Sequence, residues 1–178
     1  MKATIEVYGQ VCECLLPTPS KSHYTFNLRD LSSVMQGLLS STPKAYENLE
    51  SYTRLWVHEN RRVFADRLVN VEDTKWFDDL LSRKMKENTG LEWDTVVSKD
   101  HRLVFGDYGN GLNADDRSYV EITEEEKVRT VMAEALEDFN SDTPTPMNLV
   151  LFLDAIEHVS RISRVLRQPQ VISNFIVS

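Results

Sequence analysis

Apolar residues recur at helical spacing along most of the chain, and the pattern breaks at residues that cap or stop helices. A first helix is predicted over residues 3–16, with Ile5, Tyr8, Cys12 and Leu15 or Leu16 on one side and Pro17-Thr-Pro19 ending it. Asn27 is a good N-cap, Asp30 three residues on complements free backbone N–H groups, and Leu28, Leu31, Met35, Leu38 and Leu39 form a stripe predicted to be buried. That helix should run to about Ser40. Arg29 falls away from the stripe, on the first turn.

A third helix is predicted from near Pro43 to about Val69, with a stripe of Leu49, Tyr52, Trp56 and Val63 interrupted by Glu59 and Asn60. Asn70 then caps a fourth, with Trp76, Phe77, Leu80 and Leu81 on its apolar face and Gly90 as a left-handed C-cap. Residues 1–90 therefore read as a bundle of about four helices with short connections.

Residues 91–146 begin differently, because β-prone runs such as Thr95-Val-Val97 and Arg102-Leu-Val-Phe105 alternate with glycine- and aspartate-rich turns. One or two short strands are expected there. Thr123-Glu-Glu-Glu126 is a capping-box sequence for a helix burying Val128, Val131, Met132, Leu136 and Phe139, and Asp142-Thr-Pro-Thr-Pro146 is a stiff hinge. Residues 147–178 should form a helix to Gln168, with Leu149, Phe152, Ile156, Val159, Ile162 and Leu166 along one face, followed by the apolar tail Val171-Ile-Ser-Asn-Phe-Ile-Val177.

Composition narrows the function more than the fold. Twenty basic against twenty-eight acidic residues give a formal charge of −8, which argues against a general nucleic-acid or anionic-membrane surface. The longest apolar run near the C-terminus, Leu149 to Leu153, is too short to span a bilayer, and the chain is expected to be soluble and reduced. Cys12 and Cys14 would leave a helix on different faces, which disfavours a bridge or a metal pair.

The sequence contains no G-x-x-x-x-G-K-[ST], and Gly106-Asp-Tyr-Gly-Asn-Gly111 lacks the trailing lysine and hydroxyl, so it reads as a turn. There is no apolar strand ending in paired acids to hold magnesium. The histidines show no zinc spacing, since position 62, four residues after His58, is arginine. Asp115-Asp116 and Glu124-Glu-Glu126 read as a solvated loop and a helix first turn. No catalytic residue and no metal ligand is predicted. By chemistry alone Arg29 is a solvated cation pairing with Asp30 or a neighbour; an arginine at a helix N-terminus can also reach a phosphate.

One resemblance covers most of the chain. Leu15-Leu-Pro-Thr-Pro-Ser-Lys-Ser-His-Tyr-Thr-Phe-Asn-Leu-Arg-Asp-Leu31, Leu55-Trp-Val-His-Glu59, Arg62-Val-Phe-Ala-Asp-Arg-Leu-Val69, Leu103-Val-Phe-Gly-Asp107 and Leu149-Val-Leu-Phe-Leu-Asp-Ala-Ile-Glu-His-Val-Ser-Arg-Ile-Ser-Arg-Val-Leu-Arg-Gln168 resemble, in order, axonemal dynein heavy chains. The resemblance implies a mainly α chain. Residues 1–90 would be the helical lid of the third AAA module, residues 91–146 the opening segment of the fourth, and residues 147–178 an amphipathic helix and apolar tail that stop short of a phosphate loop.

It also implies roles. Arg29 would be the sensor arginine that touches nucleotide phosphates on the preceding large domain, and Val104, Phe105 and Gly106 would lie beside the adenine of the fourth module. For Val104 and Phe105 an ordinary buried edge strand is an equally weighted reading. The isolated chain is expected to need no cofactor and to lack ATPase activity, with ATP or ADP and magnesium bound in the intact parent ring. Partners would be neighbouring AAA modules of the same heavy chain and dynein complex subunits, with microtubules reached only through the parent motor, in the cytoplasm and cilium axoneme. The competing reading is a free-standing helical interaction module with no nucleotide role.

Overall fold

The computed structural model describes residues 1–42, 46, 48–97, 103–108, 111 and 118–167. The chain divides into two compact units, Met1–Arg102 and Leu103–Ser178.

The first unit is a helical bundle of α1 (Lys2–Cys14), α2 (Leu28–Leu39), α3 (Leu49–Val63) and α4 (Val71–Thr89), with a short α5 (Trp93–Val96). Helix α1 packs on α2 and α4, while α3 packs on α2, α4 and α5. Helix α3 is the centre of the bundle, and its buried residues include His58, Glu59 and Asn60 as well as Leu55, Trp56, Val57 and Val63. The polar pair expected to interrupt its stripe is thus fully inside, whereas Leu49 and Tyr52 are partly exposed. A helix surrounded on several sides has no single apolar stripe.

The face of α1 also differs from the expected one. Thr4, Val7, Val11 and Leu15 are buried, and Ile5 lies outside. Thr4 belongs to this face because its hydroxyl accepts a hydrogen bond from the Trp56 indole at 2.9 Å, which satisfies both groups in the interior. In α2 the buried residues are Asp30, Val34, Gly37 and Leu38, so Leu28 and Leu39 do not belong to the core and Leu31 is only half-buried.

Helix α3 begins later and ends earlier than its apolar spacing suggests. Asn48 caps it, its side chain accepting from Ser51 N at 2.7 Å, and a 3₁₀ turn, Ala65–Arg67, follows Phe64. The expected start at Pro43 lies outside the described residues. Helix α4 fits its prediction: Asn70 accepts from Asp73 N at 3.2 Å, and Gly90, with φ 74°, closes it in the left-handed region that glycine enters without steric cost. Residues Thr95-Val-Val97, predicted as strand, instead contribute to α5 and its cap, which pack on α3 and α4. The contacts of the chain divide it after Arg102.

The second unit contains an antiparallel pair, β1 (Phe105–Gly106) and β2 (Val120–Glu121), and two helices, α6 (Glu125–Asp142) and α7 (Leu153–Arg167). Phe105 faces Glu121 and Gly106 faces Val120 in the register. Its core is Val104, Tyr108, Ile122, Val128, Met132 and Ile156, with Leu151 against it. The Thr123 capping box does not form; α6 starts at Glu125 without a side-chain cap, and Phe139 is exposed.

Residues 147–152 are not helical, so α7 is shorter than the predicted helix from residue 147. They are held by Asn140, whose side chain accepts from Met147 N at 2.8 Å and donates to Met147 O at 2.9 Å. With its backbone engaged in this bracket, Met147 is unavailable as a helix start. Of the predicted α7 face only Ile156 is fully buried, and Val159, Ile162 and Leu166 are exposed. The apolar tail from residue 171 lies outside the described residues.

Candidate functional site

The N-terminus of α2 is built by a reciprocal cap. Asn27 Oδ1 accepts from Arg29 N at 2.8 Å, and Asn27 N donates to Asp30 Oδ2 at 2.8 Å. This satisfies helix-end donors and fixes the direction in which the first turn leaves the loop. Arg29 is exposed on that turn, and among the described residues its side chain makes no ion pair.

Asp30, the partner that chemistry alone assigns to Arg29, is buried and faces elsewhere. Both of its oxygens are held by Arg67, whose Nη2 meets Oδ1 and whose Nη1 donates to Oδ2 at 3.2 Å. Arg67 stands at the end of the 3₁₀ turn after α3, so this fork ties the end of one helix to the start of another. The same guanidinium lies 5.6 Å from the centre of the Phe26 ring, and Arg67 O makes a 2.9 Å hydrogen bond with the His23 ring.

The loop before Arg29 is anchored to α4 as well. Tyr24, nearly fully buried, donates to Asp73 Oδ2 at 2.8 Å and accepts from Val69 N at 3.1 Å, while Lys21 Nζ reaches the same Asp73 oxygen at 2.6 Å. Burial works to raise the Asp73 carboxyl, but the Lys21 ammonium and the Tyr24 hydroxyl outweigh it and hold the group below its ordinary range. Burial pushes the Tyr24 phenol upward. The loop therefore presents Arg29 from a backbone fixed at several points.

Val104, Phe105 and Gly106 lie in the second unit. Val104 and Phe105 are buried, Val104 O accepts from Ile122 N at 2.8 Å, and the Phe105 ring lies 6.0 Å from that of Tyr119. A Cβ at Gly106 would come within 2.6 Å of the Tyr108 ring, so close packing alone accounts for glycine there. These features agree with the buried-strand reading. The hairpin is fastened to α7 by the Tyr108–Ser160 hydrogen bond and by an Arg167–Asp107 ion pair.

The residues missed from sequence are those that support Arg29: Arg67, Asp73 and Tyr24. Arg67 lies within the quoted Arg62–Val69 motif, but no spacing rule pairs it with a residue 37 positions away.

Comparison with known proteins gives the site a context. A family model described as AAA+ lid domain matches residues 1–97. The chain is 49% identical over 166 residues to mouse dynein axonemal heavy chain 1, covering 93% of this chain and 4% of that one. It is 41% identical over 169 residues to human dynein axonemal heavy chain 6, again covering 4% of the relative, and 42% identical over 181 residues to mouse dynein axonemal heavy chain 12, covering 6%. The chain thus spans a small fraction of the length of the relatives it matches.

Proposed function

The chain belongs to the AAA+ lid family and is a homologue of axonemal dynein heavy chains, and on that premise we propose that it is a structural and regulatory element of a dynein AAA ring. In this reading residues 1–90 serve as the lid of the third module, and residues 91–178 begin the fourth. The parent would be an ATP-driven microtubule motor of cilia and flagella, located at the axoneme, and this stretch would supply no ATPase machinery of its own. Its immediate partners would be neighbouring modules of the same heavy chain, then dynein complex subunits.

The observation that carries the proposal is the state of Arg29: exposed at a capped helix N-terminus, with its acidic neighbour already bound to Arg67. A guanidinium that makes no ion pair among the described residues, carried on the first turn of a helix, is suited to a phosphate oxygen. A lid that contacts phosphate in one nucleotide state and not in another would convert that difference into rigid-body rotation. Val104, Phe105 and Gly106 are proposed to line the adenine side of the following module, with ATP or ADP and magnesium bound only in the assembled ring.

The test places this chain in a full-length axonemal heavy chain, replacing the matching stretch. Arg29→Ala should weaken the response to nucleotide at the third module, read as the ATP dependence of microtubule gliding, while the thermal stability of the isolated chain stays unchanged. An unaltered ATP dependence would remove the sensor role. The isolated chain itself should show no saturable ATP binding in the low micromolar range, and such binding would contradict the reading of two incomplete sites.

A second reading rests on α7, whose Val159, Ile162 and Leu166 are exposed together with Leu149, Val150 and Phe152. A patch of this kind marks an interaction surface. If the chain acts as a free-standing interaction module, charged substitutions at Ile162 and Leu166 should abolish its function while Arg29→Ala has no effect.

A further inference from the structure

Asp30 directly follows the proposed sensor in sequence and is the acid of the same first helical turn. It is 5% exposed, its Oδ2 receives Asn27 N at 2.8 Å and Arg67 Nη1 at 3.2 Å, and its Oδ1 receives Arg67 Nη2. Arg67 is itself located by the Phe26 ring and by His23 on its main-chain oxygen. The fork is therefore built from both ends, unlike a surface ion pair between two mobile side chains.

We infer that Arg67 is a positioning residue for Arg29: by holding and neutralising Asp30 it keeps that carboxylate from capturing Arg29 or repelling the incoming phosphate. The inference rests on the sensor reading of Arg29. Its physical content is a competition among three charges. Without Arg67, Asp30 retains its cap to Asn27 N but carries an uncompensated negative charge beside the sensor, and the cheapest compensating cation is Arg29 itself. With Arg67 in place, the pair is close to neutral and Arg29 remains the one exposed charge of the first turn.

The test uses the full-length heavy chain carrying this stretch and a fluorescent ATP analogue, with affinity as the readout and thermal unfolding measured in parallel. Arg67→Ala should weaken binding at the third module by about three- to tenfold, the order expected for one charge acting at short range through a water-like dielectric. Arg67→Lys should recover only part of this loss, because an ammonium cannot engage both oxygens. The decisive variant is Asp30→Asn with Arg67→Ala, which removes both charges and keeps an oxygen for Asn27 N. Affinity should return toward the unsubstituted value even if stability does not.

Equal weakness of Arg67→Ala and the double variant would reduce Arg67 to a structural brace and overturn the inference, as would unchanged binding in Arg67→Ala. Should Arg67→Ala fail to fold, Asp30→Asn alone decides: binding at least as tight as in the unsubstituted chain supports the inference, and weaker binding overturns it. Arg29→Ala separates the two levels. If it leaves affinity intact, the sensor reading itself fails; if it lowers affinity and Arg67→Ala then has no further effect, both stand.

Discussion

Gly37 shows how one missing side chain can fix a helix contact. A Cβ at that position would collide with the Glu59 carboxylate, which is fully buried and so cannot swing into solvent. Two effects oppose each other in Gly37→Ala. Helix propensity favours alanine by about 1 kcal/mol, whereas overpacking a closed interior costs about 1–3 kcal/mol. Net destabilisation in chemical unfolding is therefore expected, and stabilisation would show that Glu59 can move. Asp73 supplies a pH-dependent counterpart. Its folded-state pKa is held below the ordinary value of 3.8, so its contribution is present above that value and is lost as pH falls through the lower, folded one. The stability difference between the unsubstituted chain and Asp73→Asn should shrink below about pH 4, and a difference constant down to pH 2 would contradict the Lys21–Tyr24–Asp73 arrangement.

At the level of elements, the asparagine and glycine caps of α2 and α4 are legible where helix faces are not. Asn27, Asn70 and Gly90 announce helix ends through local chemistry, and all three act as expected. Faces depend on neighbours distant in sequence. The α1 face includes Thr4 only because Trp56 meets it, and α3 takes in Glu59 and Asn60 because other helices surround it. Helix α2 offers a direct measurement of the correction. Val34→Ala should cost about 2 kcal/mol, while Leu28→Ala, at a position 71% exposed, should change unfolding free energy by less than about 0.5 kcal/mol. The reverse order would restore the stripe read from spacing. For the candidate site the same division holds: Arg29 and its cap are local and legible, whereas its supports come from the 3₁₀ turn after α3 and from α4 and cannot be inferred from periodicity.

At the scale of the whole molecule, contacts separate Met1–Arg102 from Leu103–Ser178. Each unit has its own buried residues, and the family match ends at residue 97, close to that division. Residues 1–102 expressed alone should retain helical circular dichroism and cooperative unfolding; a loss of cooperativity would mean that the bundle relies on the second unit. Within the first unit, the order of attachments along the chain matters for mechanics. The Lys21 and Tyr24 bonds to Asp73 lie between α1 and the cap of α2. A pull that peels α1 away must therefore load these bonds before tension reaches Asn27. They act as a strain relief, as the clamp on a cable protects the connector behind it, and the helix bearing Arg29 would keep its orientation under forces that have already displaced α1.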